Sequence, residues 1–152
     1  MKEVSFIIPG RPIGKARPRV NRNGHCWTPA KTTDYERKIK MAYWTKYRNQ
    51  MFAGDKALAI DIVLYYVRPK NMSKKKRMLA QKGILRPLVK PDIDNVIKAI
   101  LDGLNGMAFE DDKQIVQVTS EKWYDGTDEN DGFAEVTIKG WDEYDESGLG
   151  NF

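Results

Sequence analysis

"LAIDIVLYY", residues 58–66, decides the fold reading. Leu58, Ile60, Ile62, Leu64 and Tyr66 alternate with the residues between them. An extended chain puts successive side chains on opposite faces, so this is a central strand with one well-buried face. Toward the N-terminus, Val4, Phe6 and Ile8 alternate in the same way and stop at Pro9-Gly10. Thr33-x-x-Glu36 reads as a capping box opening a helix that runs to about Tyr47, with Tyr35, Ile39, Ala42 and Tyr43 at helical spacing. Asn23-Gly24 tolerates positive φ and marks a tight hairpin. Toward the C-terminus, "SKKKRMLAQKG" is either a short helix capped by Ser73 or an arm. Ile93, Ile97, Ile100, Leu101 and Leu104 define an amphipathic helix ending at Asn105-Gly106. Gln114 to Tyr124 reads as a strand, "DGTDENDG" as a turn, and Ala134, Val136 and Ile138 as a last strand. Strands in series with helices between them predict a single α+β domain, a mixed or mostly antiparallel sheet with two main helices packed on it.

At 152 residues, 31% charged and 41% hydrophobic, the chain suits one globular domain with its own core. No apolar run approaches the roughly 18–20 residues of a membrane span, and "MKEVSFIIPG" lacks a signal peptide's apolar region. A single cysteine, Cys26, rules out an internal disulfide. The expectation is a cytoplasmic protein with no membrane partner. The net charge of +5 conceals an asymmetry. Residues 1–90 hold 22 Lys and Arg against 5 Asp and Glu, whereas residues 91–152 hold 4 against 16. A strongly basic half favours a polyanion, nucleic acid above all. Residues 1–140 are expected to form the domain and residues 141–152, "WDEYDESGLGNF", an acidic tail.

The acids gather around "KPDIDNVIKAILDGLNG", residues 90–106, and "EDD", residues 110–112. In an extended segment Asp92 and Asp94 point the same way, about 7 Å apart. Lys98 and Asp102 then follow on one helix face at four-residue steps. If the strand that begins near Gln114 runs beside the helix start, Asp111 or Asp112 meets the first two. The plainer alternative is helix capping, worth about 0.5–2 kcal/mol. Carboxylates converging within about 4 Å repel by roughly 4 kcal/mol per pair at an effective dielectric near 20, so a cluster of them calls for a cation. All-oxygen ligands favour Mg²⁺ or Mn²⁺ over zinc. A calcium EF-hand loop fails, because Val96, Ile97 and Gly103 stand where it needs Asp or Asn, Gly and Glu.

The run "KPDIDNVIKAILDGLNGMAFEDDKQIV" resembles the RusA family of Holliday junction resolvases, whose pattern is Asp-x-Asp-Asn, then Lys, then Asp, then a closing Asp-Asp. "PGRPIGKARPRV" and "TPAKTTDYERKI" are similar to N-terminal segments of one branch of that family. The likeness spans loosely residues 1–140. It implies a homodimeric, Mg²⁺-dependent crossover junction endodeoxyribonuclease that cuts four-way DNA junctions symmetrically, with Mn²⁺ able to substitute. Carried over, Asp92, Asp94 and Asp112 are metal ligands and catalytic residues. Asp111 is able to share the ligand role, and Lys98 lies near the scissile phosphate. Asp102 matches an acidic position that pairs with Lys98 or is structural. The chemistry agrees, because carboxylate-held divalent ions activate water and neutralise a phosphodiester transition state, and no histidine is at hand as a base.

Other residues are weighed against this reading. Arg11, Lys15, Arg17 and Arg19 flank shape-fixing prolines and are candidate DNA phosphate contacts. Lys74, Lys75, Lys76 and Arg77 are a second DNA-binding candidate. His25 and Cys26 have no second His or Cys, which excludes a structural zinc site within one chain. Trp27, Tyr35, Tyr43 and Trp44 read as core rather than as base-stacking platforms. Two classes of function stay open: a nuclease acting on junctions, flaps or other branched DNA, and a non-catalytic DNA-binding protein.

Overall fold

Residues 58–66 do form the centre of a sheet. The computed structural model describes residues 3–126 and 131–141. The tail from residue 142 and part of the expected turn, residues 127–130, lie outside the described residues. In chain order the elements are β1 (Glu3–Pro9), β2 (Arg19–Val20), β3 (Cys26–Trp27), α1 (Ala30–Tyr47), β4 (Leu58–Tyr66), α2 (Lys74–Gln81), α3 (Ile93–Leu104), β5 (Ile115–Tyr124) and β6 (Phe133–Gly140). A 3-10 turn, Asp112–Gln114, leads into β5. The main sheet has the order β1-β6-β4-β5, while β2 and β3 make a separate small hairpin. β6 is antiparallel to β1 and β4, and β4 and β5 are parallel. The sheet is therefore mixed and the class α+β, as expected.

Alternation explains the burial. Val4, Phe6 and Ile8 of β1, the even residues of β4 from Leu58 to Tyr66, and Ala134, Val136 and Ile138 of β6 all face one core. α1 and α3 cover that face, contributing Tyr35, Ile39 and Tyr43 from one helix and Val96, Ala99, Ile100 and Leu104 from the other. The helices approach closely at Gly103, where an added Cβ would lie 2.9 Å from the Ile39 side chain. The opposite sheet face carries polar and half-buried groups, such as Ser5 against Thr137 and Tyr65 stacked on Phe133 at 4.4 Å.

Two local readings change, and one open alternative is decided. α1 starts at Ala30, a turn earlier than expected, so Thr33 lies inside it and donates to the Pro29 carbonyl rather than capping. Glu36 turns to Lys15 instead. Trp27 and Trp44 are 42% and 43% exposed and outside the core. Trp27 sits on the small hairpin away from the sheet, and Trp44 lies on the outer side of α1 beneath the Arg48 guanidinium. Ser73 does cap α2, accepting from the Lys76 amide, so the lysine-rich segment is a helix.

Candidate active site

α3 begins where Pro91 ends the extended chain. Asp92 occupies the N-cap position with φ −64° and ψ 145°, yet its side chain makes no capping hydrogen bond. Asp94 lies in the first turn. Both carboxylates are exposed, and neither has a hydrogen bond or ion pair among the described residues. The helix dipole favours negative charge here, but uncapped geometry leaves the oxygens free. Lys98, one turn on, is exposed and likewise unpaired among the described residues. Asp102, a further turn on, pairs with Lys15 at 2.8 Å and not with Lys98.

The basic loop is bound along this helix. The Lys15 amide donates to the Asn95 carbonyl at 3.0 Å, the Ala16 amide to the Thr32 hydroxyl, and Arg11 to the Lys90 carbonyl. Gly14 permits the approach, since a Cβ there would stand 2.9 Å from Cβ of Pro91. The Lys15 ammonium lies between Asp102 and Glu36, and these two carboxylates raise its pKa above the usual lysine value. Lys15, read from sequence as a phosphate contact, thus has its charge engaged within the fold. Arg17 and Arg19 are exposed. With Arg11, Lys31 and Lys90 they rim a groove of about 1080 Å³ that also touches Asp92 and Asn95. A second groove, of about 910 Å³, is lined by Asp92, Asp94, Arg86, Lys90, Glu121 and Lys122. Asp92 borders both.

Two cations of the second groove went unread in the sequence. Lys122 donates to the Val89 and Pro91 carbonyls at 2.7 Å each, fixing the turn into α3. Arg86 stacks on Trp123 at 3.3 Å and donates to the Lys122 carbonyl. Isolated lysines and arginines on a strand and a loop give no one-dimensional signal. On α2, Lys74, Lys75 and Lys76 are exposed, whereas Arg77 donates to the Met72 and Lys70 carbonyls.

Asp111 and Asp112 lie at the other end of α3. Because α3 connects parallel strands, it runs back along β5. The Ser120–Lys122 end of β5 meets the helix start, and the beginning of β5 lies near Asp102. The condition for convergence, a strand beginning beside the helix start, is not met. Asp94 and Asp102 are about 12 Å apart along the helix axis, from eight residues at 1.5 Å each. Asp111 caps the 3-10 turn, accepting from the Lys113 amide, and this bond holds its carboxyl below the usual range. Asp111 in turn pushes Asp112 up, with Asp102 adding to the effect. Gln114 fixes the loop. Its buried amide accepts from the Glu110 and Asp111 N–H groups and donates to the Ala53 and Lys56 carbonyls.

The donors test the expected metal unevenly. Asp92 and Asp94 suit Mg²⁺, which binds through one or two carboxylates plus substrate phosphate. Among the described residues, no three His, Cys, Asp or Glu side chains converge to hold an ion. One chain therefore does not close the three-carboxylate set.

The family model described as endodeoxyribonuclease RusA matches residues 9–139. The uncharacterized protein YqaN of Bacillus subtilis (strain 168) is 34% identical over 126 residues, spanning 80% of this chain and 87% of that protein. No helix among the described residues is long and apolar enough to cross a membrane.

Proposed function

This chain belongs to the RusA endodeoxyribonuclease family, and from that premise we propose that it is a Mg²⁺-dependent, cytoplasmic Holliday junction resolvase. It cuts four-way junctions in recombination and repair by paired, symmetric phosphodiester hydrolysis, working as a homodimer. The observation that carries this reading is the pair Asp92 and Asp94. They are uncapped and unpaired among the described residues, and they border grooves in which the one further acid, Glu121, is paired with Arg86 and the remaining charged groups are cations. Two free carboxylates amid cations are a poor anion site and a good place for a cation shared with a phosphate. On this reading they hold Mg²⁺ or Mn²⁺, and Asp112 or its neighbour Asp111, which stands at the far end of α3 within one chain, completes the ligand set from the second copy of the homodimer. Lys98, on the same helix face as Asp94, offers a point charge to the phosphate in its transition state. Arg17, Arg19, Lys74, Lys75 and Lys76 grip the backbone at a distance from the cut, and Lys15 holds the basic loop in place.

The test is single-turnover cleavage of a labelled four-way junction, a flap and a plain duplex, with and without Mg²⁺. Paired cuts in the junction that need Mg²⁺ are expected. Asp94→Asn should slow them by about two to four orders of magnitude while junction binding persists, since each tenfold is about 1.4 kcal/mol of transition-state stabilisation. Asp94 lies in the first turn and not at the cap, where Asn forfeits only a dipole interaction of about 0.3–1 kcal/mol, so a purely structural Asp94 would leave the rate near that of the wild type. Junction binding with no cleavage in any metal would make the protein a non-catalytic binder. Preference for the flap would reassign its substrate.

A further inference from the structure

The hairpin of β2 and β3 stands apart from the core. Every residue from Arg17 to Thr28 is exposed, Trp27 among them. An indole left in water forgoes one of the largest burial gains a side chain can make, so its place calls for a reason. Arg19 lies directly opposite Trp27 in the antiparallel register. His25, two residues before Trp27, is on the same face, and its ring stacks on the indole at 6.1 Å and 19°. Arg19 and Trp27 both open into the groove that holds Asp92. The Trp44 and Trp123 rings each lie under an arginine, whereas no cation covers Trp27 among the described residues. The hairpin is also held in shape. The Asn21 side chain accepts from the Asn23 and His25 amides, and Gly24 takes φ 78° in the turn. At its root the loop is bound to α1 through Thr32 and to α3 through Asn95, the residue after Asp94. The aromatic face therefore stands at a fixed offset from the candidate carboxylates.

The charge of the groove says what would lie on that face. Lys15 is committed to Glu36 and Asp102, but Arg17, Arg19, Lys31 and Lys90 are exposed, with no ion pair among the described residues. Asp92 is the one acid among the described residues that line the groove. An aromatic ring beside cations suits single-stranded nucleic acid, because the base stacks while the cations take the flanking phosphates. A base inside a duplex has both faces covered by its neighbours, so an indole reaches only a nucleotide that has left the stack. Branch points, where helices part, supply such nucleotides, and plain duplex does not. We propose that Trp27, backed by His25, is a stacking platform for one unpaired nucleotide, with Arg17 and Arg19 on its phosphates, and that this contact favours branched DNA over duplex. The inference rests on the reading of the chain as acting on branched DNA, and adds a subsite outside the carboxylate centre.

The test reads binding without Mg²⁺, so cleavage plays no part. Full-length wild type, Trp27→Ala and Trp27→Tyr are titrated by fluorescence anisotropy against a labelled oligothymidylate, a four-way junction and a plain duplex. Circular dichroism checks folding, and light scattering checks assembly. Trp27→Ala should weaken oligothymidylate binding about tenfold, the worth of one stacked base, and leave duplex affinity unchanged. The junction should lose part of its advantage over duplex. Trp27→Tyr should restore most of the loss, because stacking needs a ring and not the indole N–H. The slope of affinity against salt should stay as in the wild type, since no phosphate contact is removed, whereas Arg19→Ala should flatten it. A wild type that ignores oligothymidylate, equal losses on oligothymidylate and duplex, or a Tyr variant as weak as the Ala variant would each overturn the platform. A Trp27→Ala protein that assembles differently from the wild type would also overturn it, and would make the hairpin a protein interface. A wild type that meets these expectations but cuts no DNA would uphold the platform and defeat the nuclease reading. Junction cleavage by the wild type, with Trp27→Ala binding every probe normally, would do the reverse.

Discussion

Gln114 joins two loops that the chain delivers separately. Its one amide group meets four backbone groups, at Ala53, Lys56, Glu110 and Asp111, and so sets where the Asp111 and Asp112 carboxylates stand. Gln114→Leu keeps the volume and strands those partners in a buried place. Unsatisfied buried groups cost about 1–3 kcal/mol each, and loop relaxation lets water reach some of them. The expected loss is about 2–4 kcal/mol in urea unfolding, and a loss under 1 kcal/mol would count against this account. In sequence Gln114 is an unremarked residue at a strand's start. Lys15 was equally opaque, because its partners Glu36 and Asp102 are distant along the chain. Asp92 and Asp94 were legible because their meaning lies in local spacing. Local patterns survive in one dimension, and long-range pairs do not.

α3 was readable as an element because apolar residues recur every three or four positions. Its most buried residues include Val96, Ala99 and Gly103, which a search for large apolar groups passes over. Gly103 is the point where α1 and α3 touch. Gly103→Leu gains about 1 kcal/mol of helix propensity. It also forces a side chain into Ile39, and overpacking costs typically about 1–3 kcal/mol. The net change should be destabilising, visible as a lower urea midpoint with an unchanged slope, whereas a raised midpoint would mean the helices separate freely. Direction was the part of α3 that periodicity could not supply. A helix reads the same whichever strand it lies beside. Only the parallel pairing of β4 and β5 shows that its start and the Asp111–Asp112 loop lie at opposite ends.

At the scale of the whole molecule, the basic half of the sequence does not form one uniform patch. Lys15 and Arg77 are turned to internal partners, and Arg17, Arg19 and Lys74–Lys76 remain to meet a polyanion. The bonds that Tyr47 makes to Ser5 have a further consequence for how many chains can join. A sheet with two available edges recruits on both sides and grows without limit, as fibres do. With the Ser5 amide and carbonyl on the β1 edge engaged by Tyr47 and Lys46, and β5 paired only with β4, the proposed homodimer would draw on one open edge per chain, a valence of one. Removing a single oxygen should raise that number. Tyr47→Phe frees the Ser5 amide and leaves Lys46 alone on the Ser5 carbonyl, and light scattering of the concentrated variant should show species larger than two chains where the wild type shows none. If the variant stops at two, Lys46 alone is a sufficient seal. In the proposed homodimer a strand's hunger for neighbours would be rationed by one hydroxyl group, and a tendency that elsewhere ends in aggregation would be held to a pair.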